Sequence, residues 1–123
     1  MMRPVVLLFV LGPAACSTHT TVPDPRLTLK QWGLAYCIAE HVEGGAGHGG
    51  AATGGYFQLG SHESEEAYAN VRWFFDDWVQ ERPAVPKTAG TDLSLMTCIN
   101  AYESADYASV VREQDRFLPP AVD

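Results

Sequence analysis

The sequence lacks any cluster of positive charge. Eight Lys and Arg residues are scattered along 123 positions, against fifteen Asp and Glu, and the formal net charge is −7. Nucleic acids and anionic membrane surfaces attract proteins through concentrated basic residues. We therefore expect no nucleic-acid partner and no electrostatic membrane binding. An acidic chain of this kind is better suited to a positively charged protein surface.

The sequence also lacks segments in which apolar and polar residues alternate, so it offers no convincing β-strand. Apolar residues instead recur at i, i+3, i+4 and i+7, as in Trp32, Ala35, Tyr36 and Ala39. That spacing places them on one face of a helix. The chain is long enough for one hydrophobic core and too short for two. We predict an all-α fold, a compact bundle of about five helices over residues 27–118.

The apolar run at residues 5–11 is too short to span a bilayer as a helix. Arg3 precedes this run and small residues follow it, which is the arrangement of a bacterial secretory signal at residues 1–15. Cys16 is a candidate for lipidation, with ordinary signal cleavage nearby as the alternative. In either case we expect a periplasmic protein, attached to a membrane only through a lipid on Cys16.

Cysteine is scarce, with three residues in the whole chain. Cys16 belongs to the processing region, which leaves Cys37 and Cys98 as an even pair in an oxidising compartment. We predict a disulfide between these two residues, with the first and fourth helices side by side. The alternative is a thiolate and base pair, because Cys37 and His41 are four residues apart on one helical face.

Motifs for catalysis and for cofactor binding are missing. The stretch GGAGHGG lacks both the preceding strand and the Gly-Lys-Ser/Thr ending of a phosphate-binding loop. The spacing of histidines and glutamates matches no metal-site motif. Adjacent carboxylates such as Asp76 and Asp77 point in different directions on a helix. They are therefore poorly placed to act together as a general acid and a general base. We expect no enzyme, no metal and no cofactor, and by elimination a binding protein.

Two further stretches give specific structural expectations. The glycine-rich segment from residue 43 should be flexible at its start, with a short helix from about Ala51 to Leu59. The stretch LMTCINAYESADYASVV, residues 95–111, is interpreted as scaffold, with Ser104 capping a final helix. The residues expected to fill or support the core in this stretch are Met96, Ile99 and Tyr102.

The same stretch closely resembles the C-terminal signature of the Tai4 family of type VI secretion amidase immunity proteins, at Met96, Cys98, Ile99, Tyr102 and Ser104. WGLAYCIAEH, which contains Trp32 and Cys37, resembles the first helix of that family. The resemblance covers residue 27 to about residue 114. The sequence departs from the family where a basic residue, an Asp and a His are frequent, at Thr97, Asn100 and Glu103.

The resemblance implies a small periplasmic all-helical protein, often a homodimer, that blocks the active-site cleft of a Cys and His peptidoglycan amidase. Charge near a projecting loop makes six residues the candidates for toxin binding: Asp76, Asp77, Gln80, Glu81, Arg82 and Lys87. Trp73 and Phe74 are candidates for a dimer surface, with core packing as the alternative. Two other hypotheses stay open: an envelope lipoprotein that binds a different toxin or a secretion component, and a secreted Cys/His hydrolase.

Overall fold

The computed structural model describes Gly12 and residues 23–120, where the chain forms five α-helices and no β-strand. The helices are α1 (Pro25–His41), α2 (Ala46–Leu59), α3 (Glu65–Glu81), α4 (Ser94–Glu103) and α5 (Ala105–Glu113). A 3₁₀ turn at Gln114–Phe117 follows α5. The all-α prediction is confirmed. The predicted signal sequence, apart from Gly12, and Cys16 lie outside the described residues.

Helix α1 lies at the centre of the bundle and packs against the other four helices. The Asp24 side chain caps its start by accepting a hydrogen bond from the Arg26 amide. Gly33 is buried where α3 and α5 approach α1. A Cβ on Gly33 would lie 2.6 Å from side-chain atoms of Phe75 and Val71, and closer still to the hydroxyl of Tyr107. The absence of a side chain therefore permits the tight core. None of the helices within residues 23–120 has the length and apolar character needed to cross a bilayer.

The predicted disulfide joins Cys37 on α1 to Cys98 on α4, which confirms that these helices lie side by side. Both cysteines are fully buried in the core. The bond links residues 61 positions apart. On the loop-entropy model, a crosslink of this span stabilises the folded state by up to about 4 kcal/mol. For a domain of this size, that is a large share of the total stability.

Helix α4 is rotated relative to the sequence prediction. Thr97, Cys98 and Ala101 are its buried residues, whereas Leu95, Met96 and Ile99 are 46%, 50% and 39% exposed. The expectation that Met96 and Ile99 fill the core is therefore wrong, although Tyr102 does pack against the core.

Two contacts fix this rotation of α4. The disulfide holds Cys98 inward. The Thr97 hydroxyl accepts from the Ala84 amide at 3.0 Å and donates to the Leu93 carbonyl at 3.0 Å.

Helix α2 begins at Ala46, inside the glycine-rich segment that we expected to be flexible at its start. Close contact with α1 explains the difference. Gly49 is buried, and a Cβ on it would lie 2.6 Å from the backbone nitrogen of Ala39. Gly49 lets the two helix backbones approach each other, so packing overrides the poor helix propensity of the segment.

Side-chain caps start α3 and α5, and a hydrogen bond between distant parts of the chain holds α5 in place. Ser64 accepts a hydrogen bond from the Glu66 amide at the start of α3. As predicted, Ser104 caps α5 by accepting from the Tyr107 amide at 3.1 Å. The Tyr107 hydroxyl donates to the Lys30 carbonyl at 2.8 Å, which ties α5 to α1.

Candidate functional site

The outward face of α3 presents an exposed tryptophan among polar residues. Trp73 is 75% exposed, and Asp76, Asp77 and Gln80 follow it at i+3, i+4 and i+7. These four exposed residues share one side of the helix. The opposite side buries Tyr68, Val71 and Phe75 in the core. We call the surface formed by Trp73, Asp76, Asp77 and Gln80 the α3 face.

The Asp76 carboxylate is held by two side chains of α1. The Tyr36 hydroxyl donates to its oxygens at 2.9 and 3.0 Å, and His41 Nε2 lies 2.8 Å from one of them. Burial, and secondarily the hydrogen bond to Asp76, raises the pKa of Tyr36 to about 12. The phenol therefore keeps its proton at neutral pH and remains a donor. Asp76 is thus oriented by the fold and still half exposed.

The C-terminal end of α3 leads into the connection at residues 82–93. Glu81 is exposed, and its side chain makes no hydrogen bond or ion pair with the rest of residues 23–120. The Arg82 guanidinium lies over the Trp78 ring at 4.7 Å and bonds to Asp106 on α5 at 3.2 Å. Lys87 is exposed in the connection. The predicted candidates therefore divide into free charges, such as Asp77 and Glu81, and charges already engaged, such as Asp76 and Arg82.

Trp73 and Phe74 have different environments despite being adjacent. The Phe74 ring stacks on Tyr107 at 5.0 Å and contacts Phe75 at 5.5 Å, so it packs against the core. Trp73 points outward beside a groove of about 450 Å³ between α3 and α5. Core packing thus accounts for Phe74, whereas the exposure of Trp73 has no explanation within the described chain.

The residues considered for catalysis have structural partners. Cys37 is bonded to Cys98, so its sulfur is not a free thiolate, and His41 is hydrogen-bonded to Asp76. Over the described residues, no group of three His, Cys, Asp or Glu side chains is arranged to hold a metal ion. The chemistry that this surface offers is recognition by an aromatic side chain and carboxylates on a rigid helix.

Comparison with protein families identifies the chain. The family model named Tai4, described as type VI secretion system (T6SS) amidase immunity protein, matches residues 28–111. The chain belongs to the Tai4 family. The matched range contains both disulfide cysteines and the whole α3 face. Neither the curated proteins nor the solved structures that were compared with the chain gave a match.

The structure of this Tai4-family protein joins two sets of residues that we interpreted separately from the sequence. The sequence makes Trp73 a candidate for a dimer surface, with core packing as the alternative, and makes Asp76, Asp77 and Gln80 candidates for toxin binding. All four share the α3 face. Their spacing in the sequence already predicts this, because residues at i+3, i+4 and i+7 from Trp73 lie on the same side of a helix. The contribution of Tyr36 and His41 was missed because contacts between helices far apart in sequence leave no local signal.

Proposed function

We propose that this Tai4-family protein binds and occludes the active-site cleft of a type VI secreted peptidoglycan amidase. Binding would spare the cell wall from the toxin of the cell itself and of its siblings. The immunity role follows from the family. The observation that carries the proposed mechanism is the exposure of Trp73, at 75%, beside carboxylates on a rigid helix. We infer that the α3 face and the connection at residues 82–93 form the contact surface.

An exposed tryptophan on such a surface is suited to anchor a protein complex. Residues that dominate binding energy are enriched in Trp, Tyr and Arg, and they fill desolvated pockets surrounded by weaker contacts. Trp73 has the size for this role. Asp77 and Gln80, one and two helical turns further on, would form the polar rim around it.

The carboxylates of the α3 face favour a partner with a basic surface. Asp76 is already oriented by Tyr36 and His41, so little conformational entropy is lost when it meets a cation of the partner. Asp77 and Glu81 are solvated and would act mainly on the association rate. Lys87, in the connection, supplies a charge of opposite sign that can help to distinguish one toxin from another.

Inhibition by occlusion requires no catalytic residue in the inhibitor, which agrees with the engagement of Cys37 in a disulfide. A disulfide in a small domain also favours an oxidising compartment. The disulfide therefore supports export to the periplasm, where peptidoglycan amidases act. We further propose that the protein works as a homodimer. Trp73 is the exposed member of the predicted dimer surface, and this role competes with toxin binding for the same side chain.

Titration calorimetry with an amidase encoded beside this gene tests the proposal. Trp73→Ala should weaken binding by about 2 kcal/mol or more, which is roughly thirtyfold in the dissociation constant. Leu59→Ala, at an exposed apolar residue of α2, is the matched control and should bind like the wild type. Unchanged affinity in Trp73→Ala would remove the α3 face from the contact surface.

Sedimentation of the free variants separates the two roles considered for Trp73. If Trp73→Ala changes only the oligomeric state, the residue belongs to a dimer surface. If the wild-type protein binds no amidase at all, the partner is a different toxin or secretion component, and pull-down from the cell envelope should identify it.

A further inference from the structure

Helix α2 has a composition that disfavours a helix. Five of its fourteen residues are glycine, at positions 47, 49, 50, 54 and 55. Glycine is the poorest helix former after proline, because it loses the most backbone entropy on folding. At the four glycines other than Gly49, an added Cβ would meet nothing within 4 Å. Packing therefore does not require glycine at these four positions.

The ends of α2 are also weakly held. Gly45 occupies the N-cap position and supplies no side-chain hydrogen bond, and α2 has no acidic residue in its first turn and no basic residue in its last. Gly44, immediately before the cap, has a φ of 77°, a left-handed conformation that favours glycine. By contrast, α1, α3 and α5 each begin with a side-chain cap. Helix α2 thus begins without a side-chain cap and has no charged side chain that would interact favourably with its dipole.

Helix α2 packs closely against the backbone of α1, but it contributes few buried side chains and no side-chain cross-link. Gly49 is its one buried residue. The disulfide joins α1 to α4, the Arg26–Asp115 pair ties α1 to the 3₁₀ turn, and the Tyr36–Asp76 bond joins α1 to α3. Among the described residues, no disulfide, ion pair or side-chain hydrogen bond connects α2 to another helix. Its C-terminal end is better anchored, because the Phe57 ring lies 5.2 Å from the ring of Tyr68.

Helix α2 covers apolar residues of α1. A groove of about 330 Å³ lies between α1, α2 and α4 and contains Leu34, Ile38, Tyr56 and Tyr102. Leu34 packs against the core from its partly buried position. If α2 moved away, Leu34 and Ile38 of α1 would lose this cover.

We propose that α2 is a low-stability cover, which opens from its N-terminal end while the disulfide-linked remainder of the bundle stays folded. Elements with few buried side chains and little side-chain hydrogen bonding open at lower free energy than the core. Opening exposes the apolar stripe of α1. The α3 face contains no residue of α2, so this inference does not depend on the proposed toxin contact.

Native-state hydrogen exchange of the oxidised mature protein, followed by mass spectrometry, tests the proposal. Amides of α2 should exchange much faster than those of α1 and α3, through an opening whose denaturant dependence is smaller than that of global unfolding, because it exposes less surface. The double variant Gly50→Ala and Gly54→Ala should slow exchange in α2 roughly tenfold or more, because each substitution favours the helix. Exchange in α1 and α3 should change far less.

Gly49→Ala is a control variant in the same helix that should have the opposite effect on exchange. Its new Cβ would collide with Ala39 on α1, so exchange in α2 should accelerate. Equal exchange rates in α2, α1 and α3 of the wild type would overturn the proposal. A double variant that slows all helices by the same factor would also overturn it, because α2 would then open only with the whole domain.

Discussion

The Tyr36 hydroxyl on α1 donates a hydrogen bond to the Asp76 carboxylate on α3, with Oη 2.9 and 3.0 Å from the two carboxylate oxygens. The bond connects a half-buried aromatic residue to the surface that we propose for toxin binding. His41 contacts the same carboxylate at 2.8 Å. The orientation of Asp76 is therefore set before any partner arrives.

Replacing Tyr36 with Phe should remove this bond while leaving the ring in place. We expect unfolding in urea to require about 0.5–1.5 kcal/mol less free energy, as for other single hydrogen bonds. Amidase affinity should also fall, because Asp76 would keep only His41 as a partner. Tyr56→Phe is the control, since the Tyr56 hydroxyl makes no hydrogen bond within residues 23–120. Equal effects of the two variants would show that the Tyr36 bond has no special role.

Asp77 and Glu81 should act through long-range electrostatics. Replacing Asp77 with Asn and Glu81 with Gln should slow association with a basic amidase cleft, and the difference from wild type should shrink at high ionic strength. Stopped-flow measurements at two salt concentrations would show this. Glu103→Gln removes one charge on α4 and should have little effect. A charge effect that persists in high salt would instead indicate a buried contact.

The Cys37–Cys98 bond should contribute a large part of the stability. Replacing both residues with Ala should lower the free energy of unfolding by up to about 4 kcal/mol from loop entropy, with a further loss from the cavity. Denaturant titration of the variant, and of the reduced wild type, measures the effect. Toxin affinity should be unchanged at temperatures where the variant is folded. Unaltered stability in both samples would contradict the assigned role of the bond.

His62 should make the fold sensitive to mild acid. It is 8% exposed, and neither ring nitrogen has a hydrogen-bond partner among the described residues. Burial lowers the pKa of His62, with Asp115 acting in the opposite direction. The folded state therefore binds this proton less readily than the unfolded chain. The stabilisation that depends on neutral His62 should be complete above roughly pH 6.5, the usual pKa of an exposed histidine. It should decrease as the pH drops towards the lowered pKa of His62 in the folded state.

Urea titrations between pH 7.5 and pH 5 measure this dependence, a range chosen to span about 1–2 units around the usual histidine pKa. His62→Leu should flatten the curve over that range. His62→Gln serves the same purpose if the apolar variant folds poorly. His48→Gln, at an exposed position on α2, should retain the wild-type slope. An unchanged slope in both His62 variants would show that another group is responsible.

The features that could be predicted from the sequence are those that depend on neighbouring residues or on export to an oxidising compartment. Ser104 as a cap and the Cys37–Cys98 pair depend on short-range chemistry or on export. The rotation of α4 could not be predicted in this way, because apolar residues occupy both of its sides. The disulfide and the Thr97 hydrogen bonds decide which side faces inward.

The α3 face also combines features that depend on local sequence with features that depend on tertiary packing. Its exposed charges were predictable from helical spacing, whereas the engagement of Asp76 by Tyr36 depends on the packing of α1 against α3. The length of α2 was underestimated because glycine propensity was weighed without the close backbone contact at Gly49. In each case a tertiary contact determined the outcome.

Hydrolysis of peptidoglycan by the amidase encoded beside this gene, with and without equimolar mature protein, tests the central claim most directly. Wild-type protein and Leu59→Ala should suppress hydrolysis, and Trp73→Ala should leave most of it at concentrations near the wild-type dissociation constant. Hydrolysis that continues in the presence of wild-type protein would contradict occlusion of this amidase. Full suppression by Trp73→Ala would contradict the α3 face as the contact surface.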